Sequence, residues 1–235
     1  MPRAPIALSR DQARGFLVAH LGLTRDVRAT GAAGIRAVLG ALRCIQLDPL
    51  DPMGTNADLV ALARVRGAER GDVYSSVLPT HGFEHFAKER CLLPADAYPY
   101  YRDRAVETPW WRTTERQKRV STALLDEVLA EVRERGPIAA GDLVERGTVK
   151  PLDWSGWKGT SSAATMALEI LWTRCQVVVA DRRGGRKRYD VPARALPHVH
   201  DTKATEPFER WALRERVRSA GLLSTASSPS WSMLR

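Results

Sequence analysis

The stretch Cys44-Ile45-Gln46-Leu47-Asp48-Pro49-Leu50-Asp51-Pro52 follows a helix-like run and alternates apolar and polar side chains. Successive side chains of an extended segment point to opposite faces, so the amide of Gln46 and the carboxylate of Asp48 are predicted to project from the same face. Pro49 and Pro52 fix φ and lack a backbone N–H, which predicts that regular structure ends here. A rigid Gln–Asp pair can position and activate a water molecule. The alternative is a helix-to-loop exit whose aspartate only satisfies nearby amides.

The composition is that of an ordinary globular protein with an excess of basic residues. The chain has 235 residues, 44% of them hydrophobic and 27% charged, and its net charge is +9. That length allows a sizeable core and about two domains. The positive charge favours a polyanionic partner, with nucleic acid as the first candidate.

The cysteines and histidines form no pattern typical of a metal site or a disulfide framework. The three cysteines are far apart and odd in number, which favours buried thiols in a reducing cytoplasm. The histidines lack a compelling metal-ligand spacing, so we predict no metal and no cofactor. No apolar run approaches the roughly 20 residues that span a bilayer, and no signal-peptide core follows the first residues. We therefore expect a cytoplasmic protein without a membrane partner.

Residues 1–108 are predicted to form a first winged-helix-like module that carries the Gln-x-Asp motif. Ser9 is a typical N-cap for the first helix. Periodicity predicts four helices, at 10–21, 32–43, 56–65 and 68–78. Two extended pieces follow, at 83–87 and 90–93. Short helices followed by strands indicate a helix-turn-helix module. The tyrosines that follow favour either a packed aromatic junction or a base-stacking platform, and they are Tyr98, Tyr100 and Tyr101.

Residues 109–200 are predicted to form a second winged-helix module. Its first elements are a long amphipathic helix over 114–135 and the first helix of a helix-turn-helix over 139–145. A second helix over 162–174 and a hairpin over 176–191 follow. Gly184-Gly185 marks the hairpin turn. The predicted fold class is therefore mainly α with small β hairpins (α+β), arranged as tandem winged-helix modules.

Basic side chains are crowded at the tip of this hairpin, the wing of the predicted module. They are Arg182, Arg183, Arg186, Lys187 and Arg188. A wing tip lies beside the phosphate backbone, so these residues are predicted to contact DNA. The alternative is a solvated turn. Further candidate DNA contacts are Trp154, Trp157 and Lys158. The two tryptophans are predicted either to stack on bases or ribose or to pack against the next helix.

Residues 201–235 are predicted to begin a third winged helix that is cut short. A helix over 206–220 resembles the first helix of another module. The serine-rich stretch from Leu223 to Ser230 is typical of a disordered tail.

Three passages resemble the crosslink-repair and alkylation DNA glycosylases of the YcaQ/AlkZ type, which are built from tandem winged helices. The first is Ile45-Gln46-Leu47-Asp48-Pro49, similar to the Gln-apolar-Asp/Gln catalytic motif of that family. The second runs from Phe83-Glu84-His85-Phe86 to Leu92-Leu93-Pro94, and the third from Trp154-Ser155-Gly156-Trp157-Lys158 to Tyr189-Asp190-Val191-Pro192. Unlike the family, the chain is expected to lack a complete third module and a C-terminal β-barrel. It also has Asn56-Ala57-Asp58 where a histidine-containing segment is expected, and Lys88 where a histidine is common.

The resemblance implies a monofunctional DNA repair glycosylase, monomeric and nucleoid-associated, that acts on damaged double-stranded DNA. Its implied reaction is hydrolysis of the N-glycosidic bond of alkylated purines, or the unhooking of interstrand crosslinks. Asp48 is then expected to activate water and Gln46 to orient it. The alternative is a non-catalytic winged-helix DNA-binding protein, either a regulator or a degenerate, truncated glycosylase.

Overall fold

The structure is a computed structural model that describes residues 5–24, 29–48, 54–87, 89–107, 115–151 and 159–226. Three residues predicted to contact DNA lie outside these ranges, namely Trp154, Trp157 and Lys158. The two prolines of the motif and most of the serine-rich stretch also lie outside the described residues.

The first part of the chain consists of short helices and a small sheet. In chain order its elements are α1 (Arg10–His20), α2 (Gly31–Leu42), β1 (Ile45–Gln46), α3 (Asn56–Leu62), α4 (Asp72–Val77), β2 (Gly82–Phe86), β3 (Arg90–Pro94) and α5 (Tyr98–Glu107). The helix α1 begins where predicted, because the Ser9 hydroxyl accepts a hydrogen bond from the N–H of Gln12 and the Gln12 side chain accepts one from the N–H of Ser9. The helix α4 is shorter than the predicted 68–78, since Gly71 adopts a left-handed conformation (φ 91°) immediately before it.

The motif strand β1 lies at the edge of a three-stranded antiparallel sheet. The strand β3 is central, between β1 and β2. Ile45 is opposite Leu92, and Gln46 is opposite Cys91. The motif is therefore held by a hairpin whose paired strand lies more than 40 positions further along the chain.

The second part of the chain follows a similar order, with an additional two-stranded sheet before its second helix. It contains α6 (Thr122–Arg135), β4 (Ile138–Ala139), β5 (Thr148–Val149), β6 (Ser161–Ser162), α7 (Ala163–Thr173), β7 (Val178–Arg183) and β8 (Arg186–Asp190). Its three-stranded sheet has the order β4-β8-β7, which corresponds to the β1-β3-β2 order of the first sheet. Helices with small antiparallel sheets confirm the α+β prediction.

The predicted extents of two helices in this part were wrong. The helix predicted over 139–145 is only a 3-10 turn, Ala140–Asp142, because Ala139 is extended and paired with Arg188, and Leu143 is again extended (φ −69°, ψ 149°). The helix predicted over 114–135 does not run unbroken to its end. Its main part starts at Thr122, where the Ser121 hydroxyl accepts a hydrogen bond from the N–H of Leu124 and caps a new helix.

The two parts share one apolar core. Side chains of β1 and β3, such as Ile45 and Leu92, belong to the same cluster as Val128 of α6, Trp172 of α7 and Val179 of β7. A surface that runs across both parts is therefore held at a fixed geometry by close packing.

A second cluster is aromatic and confirms the packed junction predicted around Tyr98–Tyr101. Tyr98 and Tyr101 are buried, which contradicts the base-stacking alternative for them. Tyr100 stacks on Trp211 of the last helix, α9 (Phe208–Ala220), with ring centroids 4.4 Å apart. The short helix α8 (Pro192–Ala195) precedes it. The helix α9 thus packs on α5, and its Glu215 forms an ion pair with Arg43 at the end of α2.

Candidate functional site

The motif strand presents its polar side chains as the alternation predicts. Ile45 and Leu47 are buried in the core, whereas Gln46 and Asp48 are exposed. The N–H of Leu47 donates to the carbonyl of Arg90 at 2.8 Å, and the side-chain amide of Asn56 donates to the carbonyl of Gln46 at 2.7 Å. These bonds engage both polar groups of the peptide that links Gln46 to Leu47, and so fix the backbone between the two accessible side chains.

Gln46 and Asp48 line a cleft of about 840 Å³ that lies between the two parts of the chain. Aromatic, basic and acidic side chains from both parts complete its walls. They are Thr55, Tyr74, Phe86, Glu89, Arg90, Arg116, Glu169, Trp172 and Arg182. An amide and a carboxylate on a fixed strand, facing arginines and aromatic rings, can hold a water molecule against a bound substrate.

Ion pairs fix two of the basic side chains in that wall. Arg182 binds the carboxylate of Glu84 in a bidentate manner, at 2.6 and 2.8 Å, and its guanidinium carbon lies 4.7 Å from the centre of the Tyr74 ring. Burial lowers the pKa of Arg182, but the hydrogen bonds and charge of Glu84 outweigh it, so the pKa is raised. Arg116 binds Glu169 at 2.9 Å. Both pairs bring together residues that are far apart in the sequence.

The basic hairpin is divided between two faces rather than forming a single exposed cluster. Arg182 is directly opposite Lys187, so both leave the hairpin on one face, and both are partly buried. Arg183 is opposite Arg186 beyond them, and both are exposed beside the Gly184-Gly185 turn. Arg188 binds Asp181 at 2.9 Å. The exposed basic groups at the hairpin tip are therefore Arg183 and Arg186.

Of the nine wall residues, only Arg182 was predicted as a site residue. The charged and aromatic residues that were not predicted include Arg90, Arg116, Glu169 and Trp172. Arg90 could have been found through the pairing of β1 with β3, because that pairing places it beside the motif. The others come from α7 and the segment before α6, and no local pattern indicates that these elements face β1.

Two further properties concern the described ranges only. There, no three His, Cys, Asp or Glu side chains come close enough together to hold a metal ion. No helix in the same part of the chain is both long and apolar enough to cross a membrane.

Comparison with known proteins agrees with the resemblance seen in the sequence. The chain is similar in structure to the DNA glycosylase AlkZ of Streptomyces sahachiroi, with a TM-score of 0.55 and 19% sequence identity. That match covers 97% of this chain and 65% of the other, so the chain spans about 65% of the length of that glycosylase. At this identity the likeness shows a common fold. The family model described as DNA glycosylase AlkZ-like matches residues 39–235, most of the sequence, and the chain therefore belongs to the AlkZ-like DNA glycosylase family.

Proposed function

We propose that this chain is a monofunctional DNA glycosylase that hydrolyses the N-glycosidic bond of an alkylated purine, alone or within an interstrand crosslink. The observation that carries the proposal is the exposure of Gln46 and Asp48 side by side on a fixed strand, at the wall of a cleft lined by aromatic, basic and acidic side chains. Membership of the glycosylase family supports it.

The chemistry requires little more than these two side chains. A purine alkylated at N7 or N3 is cationic and leaves without protonation, so a general acid is dispensable. Asp48 takes a proton from the attacking water, and its charge stabilises the developing oxocarbenium ion. Such a role contributes about 10²–10⁴ to the rate. Gln46 offers a donor and an acceptor on one amide, which suits it to orient the water or contact the sugar.

DNA binding is proposed to use tandem winged-helix modules, within 1–108 and 109–200. Both parts begin with a helix and a strand and end with a helix and a hairpin, with β5 and β6 added in the second, and both have the sheet order expected of that module. The hairpin of the second module places Arg183 and Arg186 at an exposed tip. These arginines are proposed to contact phosphates beside the cleft.

The wing proposal gives a binding prediction. Replacing both Arg183 and Arg186 with alanine is expected to weaken binding to duplex DNA roughly tenfold at low salt, and to flatten the salt dependence by about 0.9 for each phosphate that is no longer neutralised. Stability should not change, because neither side chain is buried. Titration by fluorescence anisotropy at several salt concentrations measures both effects.

The matched control is Arg10→Ala with Arg14→Ala on the exposed helix α1, which removes the same charge elsewhere. If the control weakens binding as much as the hairpin variant, net charge rather than the wing determines affinity.

The activity itself is tested on the purified chain with a duplex that contains one 7-methylguanine and with a duplex that contains an N7-linked crosslink. We expect release of the free base and an abasic site under single-turnover conditions, and none from an undamaged duplex. Binding without release would instead identify a non-catalytic DNA-binding protein.

A further inference from the structure

Two cations share a single indole ring in the wall of the cleft. The guanidinium carbon of Arg90 lies 5.2 Å from the centre of the Trp172 ring, and the Nζ of Lys187 lies 5.3 Å from it. Trp172 is itself fixed, since it is buried and its Nε1–H donates to the carbonyl of Glu84 at 2.9 Å. Both positive groups are therefore held against the same ring by cation–π contact.

Neither cation forms an ion pair with a carboxylate in the part of the chain that the structure describes. Two of the nearby carboxylates are engaged elsewhere, Glu84 by Arg182 and Glu169 by Arg116. The Nε of Arg90 is buried and has no hydrogen-bond partner among the described residues. A buried donor without an acceptor costs free energy, which sets Arg90 apart from the paired arginines Arg116 and Arg182 of the same cleft.

The charge on Lys187 responds to this arrangement. Burial first, and then the nearby charge of Arg90, lowers the pKa of Lys187 to about 8. Arg182 also lowers this pKa, whereas Glu84 and Glu169 raise it. An anion bound between Arg90 and Lys187 would relieve the repulsion and hold the ammonium in its charged form.

Arg90 belongs to the cleft of the proposed reaction, and Lys187 lies beside it. Arg90 lines the cleft, and its carbonyl accepts the hydrogen bond from Leu47, which lies between Gln46 and Asp48. Lys187 leaves its strand on the same face as Arg182, another cleft residue. An uncompensated positive charge here would oppose the developing oxocarbenium ion, whereas a bound phosphate would cancel it.

We propose that Arg90 and Lys187 form a phosphate-binding site inside the cleft, which takes a phosphodiester next to the target nucleotide of the damaged strand. The guanidinium supplies directional donors and the ammonium a point charge, a combination suited to phosphate oxygens. This inference rests on the proposed function, because it assumes that the damaged strand enters the cleft. It differs from the wing contact, which lies at the exposed hairpin tip.

The test uses a duplex with a tetrahydrofuran abasic-site analogue, in which the phosphodiesters on either side are replaced one at a time by neutral methylphosphonates. We expect one replacement to weaken binding by the wild-type chain about tenfold, as for removal of a charge-assisted hydrogen bond. The variants Arg90→Gln and Lys187→Gln should each bind the all-phosphodiester duplex about tenfold more weakly than the wild-type chain does. The methylphosphonate replacement should then reduce their affinity little further. Arg14→Gln, a surface control on α1, should behave like the wild-type chain.

A pH series adds a readout that a purely structural role would not move. Free Lys187 loses its proton as the pH rises through about 8. Wild-type affinity should therefore fall about tenfold between pH 7 and pH 9, whereas the affinity of Lys187→Gln should stay nearly constant.

The wild-type chain alone can overturn the proposal, even if a variant fails to fold. If no methylphosphonate next to the analogue changes its affinity, the cleft holds no such phosphate. Equal reductions in affinity for wild-type and variant chains on every replacement would exclude Arg90 and Lys187. The analogue cannot be hydrolysed, so the measurement stands apart from base release. If the wild-type chain binds one methylphosphonate duplex more weakly than the all-phosphodiester duplex but releases no base, the phosphate site is supported and the proposed activity is not.

Discussion

Replacing Asp48 with asparagine is expected to lower the release of 7-methylguanine at least about a hundredfold, equivalent to roughly 2.7 kcal/mol of barrier. The substitution keeps the shape of the side chain and removes both the base and the negative charge. The fold should survive, because Asp48 is exposed and its neighbour Leu47 supplies the core contact. DNA affinity should be retained or increase, since a negative charge beside the phosphates is removed. Single-turnover base release and equilibrium binding measure these effects separately.

Two matched variants make this result specific. Glu89→Gln removes another exposed carboxylate from the same cleft and should leave base release within about threefold of the wild-type rate. Gln46→Ala should cost less than Asp48→Asn, because a water molecule can partly replace an amide as an orienting group. If Asp48→Asn releases 7-methylguanine at a nearly wild-type rate, Asp48 only accepts hydrogen bonds from backbone amides. The proposed mechanism would then have no general base.

Local chemistry made the motif and its surroundings predictable. A period of two residues was enough to separate the buried Ile45 and Leu47 from the exposed Gln46 and Asp48. The cap at Ser9 and the hairpin turn at Gly184-Gly185 were likewise predicted, because each depends on a few adjacent residues.

The walls of the cleft were not predictable in the same way. Glu84 and Arg182 are 98 positions apart, and Arg116 and Glu169 also come from separate elements. Such pairs depend on how helices and sheets pack, which a single sequence does not encode at any fixed spacing. The hairpin illustrates both cases. Its basic residues were evident, but strand pairing and ion pairs decide that Arg183 and Arg186 are exposed while Arg182 and Arg188 are engaged.

The ion pair between Arg182 and Glu84 gives the second prediction with a large expected effect. Arg182→Met is expected to destabilise the protein by about 3–5 kcal/mol, because the carboxylate of Glu84 is 0% exposed and would be left without its bidentate partner. For a chain of this length, the destabilisation corresponds to a melting temperature lower by roughly 6–20 °C. Thermal unfolding followed by circular dichroism measures it.

The matched control is Arg183→Met, one position further along the same strand and exposed, which should change stability by less than about 0.5 kcal/mol. The double variant Glu84→Met with Arg182→Met removes both charges and should recover much of the stability, since a buried pair replaced by apolar groups is often nearly neutral. A double-mutant cycle therefore separates the pairing energy from the cost of a stranded charge. If Arg182→Met proves as stable as Arg183→Met, solvent reaches Glu84 in solution. The wall of the cleft would then be more open than this packing implies, and Arg182 would be available to contact DNA together with Arg183 and Arg186.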